Sequence, residues 1–257
     1  MAELNGRPLG LEQLQTLALT NYGHFTSLRV DEGRVRGLAL HLDRLVRDCR
    51  VLFGVDLDTE RVLGLIRRAV PPHGATTIRV TVFDPATDLG RPSAAVDPQI
   101  LVTERAAGAL PLPALRVQSA TYARDTPEVK SVGLFGSLRA RRTAQLNGFD
   151  DALFIDGDGL IAEGGTWNIG FFDGDHVIWP DADCLEGVTM KLLQKVHAHR
   201  VGPVTIDDLP SMQAAFATNA AIGLRAIAQI NENHLSVDHS IIEILRKEYN
   251  GIVGDLI

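Results

Sequence analysis

Of the 25 lysines and arginines, four are lysines, at positions 130, 191, 195 and 247. The first sits in Asp125-Thr126-Pro127-Glu128-Val129-Lys130-Ser131, behind a proline and ahead of Gly133. This reads as a connecting segment, the kind of place where a rigid scaffold holds reactive groups. An amine there can form a Schiff base with a carbonyl, because lysine pKa values move readily on burial. A solvated loop lysine is the commoner case. A second feature is Glu163-Gly164-Gly165-Thr166-Trp167-Asn168, a carboxylate directly before two glycines. Such a backbone lets another group come close; taken alone, a hairpin turn with an exposed glutamate is the favoured reading. A third is Leu185-Glu186-Gly187-Val188-Thr189, a loop leading into a helix whose first N–H groups and hydroxyl suit a phosphate. A fourth is His41-Leu42-Asp43-Arg44, which offers a guanidinium to an anion.

The elements that must position these groups follow from periodicity and turn chemistry. Apolar residues at helical spacing predict a helix over 38–53, and Asp58 and Thr59 cap a second one running to Ala69, ahead of Pro71-Pro72. Strands are expected over 76–83, 99–103 and 115–120, then 151–155, 168–172, 177–179, 213–218 and 224–230. Helices are expected over 138–147, 188–199 and 240–249. Strands and helices mix without strict alternation, which suggests an α+β fold in two parts. The small-residue and proline stretch 106–114 is the best linker, between an N-terminal α+β domain (1–105) and a C-terminal one (115–257).

Composition narrows the function classes. The 257 residues are 45% hydrophobic and 22% charged, enough for a sizeable core. A net charge of -7 argues against nucleic acid as a partner. No apolar run approaches the roughly 20 residues needed to span a bilayer, so no membrane is expected. The N-terminus lacks a secretory pattern, so a cytoplasmic protein is expected. Cys49 and Cys184 are far apart and in no metal-type spacing, so no metal site is suggested.

The order of these motifs is more specific than any one of them. His-x-x-Arg, Val-Lys-Ser, Asp-Gly, Glu-Gly-x-Thr-x-Asn and Gly-Val-Thr follow one another along nearly the whole chain. This succession resembles the class IV aminotransferases. These are the fold-type IV pyridoxal-phosphate enzymes: branched-chain and D-amino-acid aminotransferases and aminodeoxychorismate lyases. The resemblance implies a two-domain fold with pyridoxal 5'-phosphate in the interdomain cleft, a homodimer, and an amino acid and a 2-oxo acid as substrates. It makes Lys130 the catalytic lysine, which holds the cofactor aldehyde as an internal aldimine and later moves a proton. It places Glu163 on the pyridine nitrogen, where a carboxylate keeps the ring an electron sink. It puts Arg44, Val188 and Thr189 on the cofactor phosphate, with Asn168 in support. Thr218, Asn219 and Ala220 fall in the last cofactor-side loop.

Some positions depart from the family pattern. Phe135 stands where many of these transaminases have a tyrosine bonded to the cofactor, and the last loop lacks the usual Ser/Thr-Gly-Thr run. Thr26 replaces an acidic residue, and the Phe25-Thr26 and Asn219-Ala220 segments look somewhat like the lyase branch. Phe25, Phe135 and Trp167 are assigned to the substrate site with Arg79, which lies where transaminases often bind a substrate carboxylate or else points outward on its strand. Amino transfer is the expected reaction. β-Elimination on an aminodeoxychorismate-like substrate is the alternative, and a non-catalytic ligand-binding member is a third reading.

Overall fold

The computed structural model describes residues 2–94 and 96–257. The chain divides into two units. The first runs to residue 107 and adds 129–133 and 254–257; the second takes 108–128 and 134–253. The break at 107/108 lies inside the expected linker. The two additions differ from the expected division, and one of them moves Lys130 into the first unit.

The first unit contains β1 (Ala2–Leu4), β2 (Arg7–Pro8), α1 (Leu11–Thr20), β3 (His24–Asp31), β4 (Arg34–Val35), α2 (Leu38–Phe53), α3 (Thr59–Ala69), β5 (Ala75–Phe83) and β6 (Gln99–Ala106). Its sheet is antiparallel, in the order C-terminal strand (Asp255–Leu256), β4, β3, β5, β6, β1, β2. Helix α2 starts after Gly37 and stops at Gly54, both in the left-handed region at φ 70° and 69°, where glycine carries no Cβ penalty. Asp58 caps α3 by accepting the N–H groups of Glu60 and Arg61. Leu38, Leu45, Cys49 and Phe53 of α2 and Val62 and Ile66 of α3 pack with Leu28, Val30, Ile78, Val80 and Val82 of the sheet. The alternate residues of β3 and β5 therefore face away from these helices.

Segment 129–133 joins this unit through backbone hydrogen bonds. The N–H of Phe25 donates to the carbonyl of Lys130 and that of Val132 to the carbonyl of Gly23, both at 2.9 Å. The C-terminal strand joins it by pairing with β4.

The second unit contains β7 (Leu115–Thr121), α4 (Phe135–Leu146), β8 (Asp151–Ile155), β9 (Ile161–Gly164), β10 (Asn168–Phe172), β11 (Val177–Pro180), α5 (Val188–Val196), β12 (His199–Gly202), β13 (Ala214–Asn219), β14 (Gly223–Ile230), β15 (Asn233–His234) and α6 (Ser240–Gly251). Strands β10, β13, β14, β7, β8 and β9 pair in succession, and β9 pairs back to β10, closing a ring of six. Trp167, Ile169, Phe171, Ala215, Ala217 and Ile227 contribute to its core.

Besides several short strands that were not expected, three elements differ from expectation. The helix expected over 188–199 ends at Val196, because His197 is extended and 199–202 form a parallel strand beside β11. Helix α1 was not expected: none of its residues is buried, so its pattern carries no core face. Strand β3 was not expected either, although it pairs with β5 over its full length. No helix is long and apolar enough to cross a membrane among the described residues.

Candidate active site

In the first unit the candidate groups gather around the end of β3. Helix α2 carries His41, Arg44 and Asp48 at near-helical intervals, so all three face the sheet and are buried. Arg44 donates through Nη2 to Thr26 Oγ1 at 2.6 Å, and His41 Nδ1 lies 2.7 Å from the same oxygen. Burial and the neighbouring Arg44 charge hold His41 well below the ordinary histidine range, so its ring is neutral. A neutral ring with Nδ1 as acceptor takes the Thr26 hydroxyl proton, which leaves the threonine oxygen to accept from Arg44. Thr26 thus completes a chain of donors where an acidic residue would have neutralised the guanidinium. Arg44 Nε is buried without a partner, and burial pushes the guanidinium down to about 10, opposed by Asp48 one turn further on.

Asp48 also anchors the segment that carries Lys130. Its Oδ2 accepts the Lys130 backbone N–H at 2.9 Å, and its Oδ1 accepts from Arg47 at 2.8 Å. The Lys130 amine lies 4.9 Å from the centre of the Phe25 ring, and the Arg79 guanidinium lies 3.5 Å from that same centre. Phe25 and Arg79 therefore share the sheet face turned away from α2 and α3, beside the amine. Arg79 is half-buried against the Phe25 ring, and burial, with the charge of Arg105, lowers its pKa.

In the second unit the strand register assembles a row. Asn168 of β10 pairs with Glu163 of β9 on one side and Thr218 of β13 on the other. Directly opposed residues share a sheet face, so these three side chains project together. Glu163 is 2% exposed, which overturns the exposed-hairpin reading. Its Oε1 accepts from Arg124 Nε at 2.6 Å and from the Leu185 N–H at 3.3 Å.

Asn168 fixes the entry to α5. It donates to the Leu185 carbonyl at 2.7 Å and accepts the Gly187 N–H at 2.9 Å. Gly187 must be glycine here, because a Cβ would overlap Asn168 Oδ1. Val188 and Thr189 then supply first-turn N–H groups that have no partner within the helix. The hydroxyls of Thr189 and Thr218 are both buried without a partner. Asn219 is spent on the turn, donating to the Thr166 carbonyl and accepting from Ala221 and Ile222, and Ala220 offers no side-chain donor.

Two expected substrate residues are placed elsewhere. Trp167 is a core residue, 5% exposed, with its indole N–H donated to Asp151 at 2.8 Å. Arg141 holds that carboxylate through two bonds of 2.8 Å, so the indole is locked inward. Phe135 is the first residue of α4 and is 80% exposed, with its ring outside the core. Asp48 and Arg124 were missed in the sequence. The signal for Asp48 was its position four residues after Arg44, on the same helix face. Arg124 had no local signal; only the fold brings it to Glu163.

The family described as amino-transferase class IV matches residues 23–230. A probable branched-chain-amino-acid aminotransferase of Rickettsia bellii is 33% identical over 128 residues, which is 46% of this chain and 44% of that protein. The match thus takes in less than half of that relative's length. The branched-chain aminotransferase of the thermophilic archaeon Thermoproteus uzoniensis, in its structure with norvaline, superposes with a TM-score of 0.83 over 97% of this chain and 93% of that one, at 19% identity. A hypothetical aminotransferase from Mycobacterium tuberculosis, in its PLP-bound form, superposes with a TM-score of 0.80 at 17% identity, covering 98% of each chain. At these identities the superpositions establish the fold. With a family match across most of its length and the fold to accompany it, the chain belongs to the class IV amino-transferase family.

Proposed function

We propose that the protein is a pyridoxal-phosphate-dependent aminotransferase that moves an amino group between an amino acid and a 2-oxo acid. One observation carries the reading. The hydroxyls of Thr189 and Thr218, in the second unit, are buried without a protein partner, and a phosphate supplies the acceptor oxygens they lack; Arg44 Nε, in the first unit, is by itself a buried donor without one. Among the described residues no carboxylate is bonded to Arg44, whose partners are Thr26 and His41, so its charge is available to a dianion. The first-turn N–H groups at Val188 and Thr189 are of the kind that hold phosphates. The residues present therefore fit the cofactor.

When bound, pyridoxal phosphate supplies an aldehyde to take up the amino group and a ring to delocalise the electrons left at the substrate α-carbon. Glu163 would hold a proton on the ring nitrogen, and Arg124, bonded to its Oε1, fixes the carboxylate in place. Lys130 Nζ would hold the aldehyde, and as a free amine it would take the proton from the substrate α-carbon and later return one. Asp48 fixes the backbone from which Lys130 reaches. Arg79 meets a substrate carboxylate beside the Phe25 ring. The same reading brings a homodimer and a cytoplasmic location, both consistent with the family.

The test is the visible absorbance spectrum of the protein with added pyridoxal phosphate, compared with Lys130→Ala. The wild type should gain the band of a lysine-bound cofactor, and an amino acid from a D and L panel should bleach it. Restoration by a 2-oxo acid marks amino transfer. No band, or the same band in Lys130→Ala, refutes the proposal.

A further inference from the structure

His24 opens β3 with a side chain that is 0% exposed. Both of its ring nitrogens are sealed from solvent without a hydrogen-bond partner. Burial, with the Arg44 charge beside it, keeps the ring neutral. A neutral imidazole has one N–H to donate and one lone pair to fill, so burying it with both unmet is costly. Packing alone does not ask for an imidazole here. The ring lies against Phe53, with centres 6.2 Å apart, where an apolar side chain would fit without that cost.

The groups around the ring show what is missing. His24 and Thr26 share the face of β3 that Leu28 and Val30 turn toward α2 and α3. Thr26 holds Arg44 through Nη2, and Arg44 Nε, on the same guanidinium, is also buried without a partner. Residues two apart on a strand stand about 7 Å apart, so ring and guanidinium are neighbours. Ser131 lies directly across from His24 in a backbone bridge, one residue beyond Lys130. The nearby acceptors are already engaged. His41 Nδ1 and Thr26 Oγ1 serve each other and Arg44, and Asp48 takes the Lys130 N–H and Arg47. Two buried donors, Arg44 Nε–H and a His24 N–H, are left on one face without an acceptor. A single water would accept from both, yet it would leave the guanidinium with only Asp48 to offset its charge. An anion with several acceptor oxygens meets both needs.

We propose that His24 binds the phosphate of pyridoxal phosphate, its ring N–H donating beside Arg44 Nε, so that the first unit offers that group an imidazole as well as a guanidinium. The proposal rests on the aminotransferase reading above and adds a binding residue to it. An uncharged donor suits this place, since a second cation so close to Arg44 would be repelled, whereas an imidazole N–H adds a bond without adding charge.

Pyridoxal, which has the aldehyde but no phosphate, separates a phosphate contact from a general one. The absorbance band that depends on Lys130 is titrated with pyridoxal phosphate and with pyridoxal. Wild type, His24→Phe, His24→Asn and His24→Gln are compared; the two amides keep an N–H near the reach of Nδ1 and of Nε2. His24→Phe should weaken pyridoxal phosphate at least about tenfold and pyridoxal by less than about twofold, and one amide should restore part of the loss. A second measurement needs no substitution to fold. In wild type carrying isotope-labelled histidine, nuclear magnetic resonance should show one imidazole N–H becoming slow to exchange on adding pyridoxal phosphate and not on adding pyridoxal. Equal weakening of both ligands in His24→Phe, or no weakening of either, overturns the phosphate contact and leaves the aminotransferase reading standing. No imidazole N–H protected by pyridoxal phosphate overturns it as well. Absence of the band in the wild type defeats the aminotransferase reading and this proposal with it.

Discussion

Replacing Asp48 with alanine should destabilise the cofactor-free protein by about 3–5 kcal/mol, the range for stripping a buried charge of its counter-charge. The side chain is fully buried and serves three groups. Its loss leaves the Lys130 N–H without an acceptor, which costs about 1–3 kcal/mol. It also leaves the buried Arg44 guanidinium without the one carboxylate that offsets its desolvation. Arg47 adds little, because its side chain is 39% exposed and turns to water. For a chain of this size the midpoint of thermal unfolding should fall by about 2–4 °C per kcal/mol, so roughly 6–20 °C in all. Asp48→Asn keeps an oxygen for the Lys130 N–H and loses only the charge, so it should fall between the wild type and alanine. Urea unfolding at pH 7 measures both variants. An alanine variant within about 0.5 kcal/mol of wild type would refute the view that Asp48 supports the Lys130 segment.

Other consequences are open to direct measurement. Burial, helped by Arg44, pushes His24 down to about 3, and His41 is lowered too. The unfolded chain takes up these protons below pH 6.5 while the native one does not. Stability is then full above pH 6.5 and should fall by about 1.4 kcal/mol per pH unit per histidine as pH drops from there toward 3. Urea midpoints between pH 7 and 5 should show that slope, and His24→Phe should flatten it; an unchanged slope counts against the assignment. Gly187→Ala should displace Asn168 and weaken pyridoxal-phosphate binding at least tenfold by spectroscopic titration, whereas Gly202→Ala, with no atom near the added methyl, should not. Burial pushes Cys49 up to about 11 and, with Glu163, Cys184 up to about 12. Neither thiol should react quickly with a disulfide reagent at pH 8 until the protein is unfolded.

What the sequence disclosed depended on how local each signal was. Helices α2 and α3 were readable because their apolar spacing, the Asp58 cap and the prolines that follow all belong to one stretch of chain. Helix α1 was not, since it buries nothing, and α5 ended early because β12 takes its last residues into the sheet. Lys130, Glu163 and Arg44 were singled out through motif order. The partners that set their properties were not: Asp48 meets Lys130 across 82 residues and Arg124 meets Glu163 across 39. Trp167 shows the same limit from the other side. Its place next to a candidate motif suggested a substrate wall, yet the buried Asp151 carboxylate accepts its N–H and turns the ring into the core.

The six-strand ring of the second unit is joined between β9 and β10 by one register pair, Glu163 with Asn168, where its other joints have two to five. This makes the joint a seam. Local opening of the ring should begin there, and amide exchange should be fastest at its flanking residues in the cofactor-free protein. A ligand gripping both side chains acts as a clasp across the seam, slowing that exchange by the measure of its own binding. Release of the ligand and parting of the strands are then two views of one event.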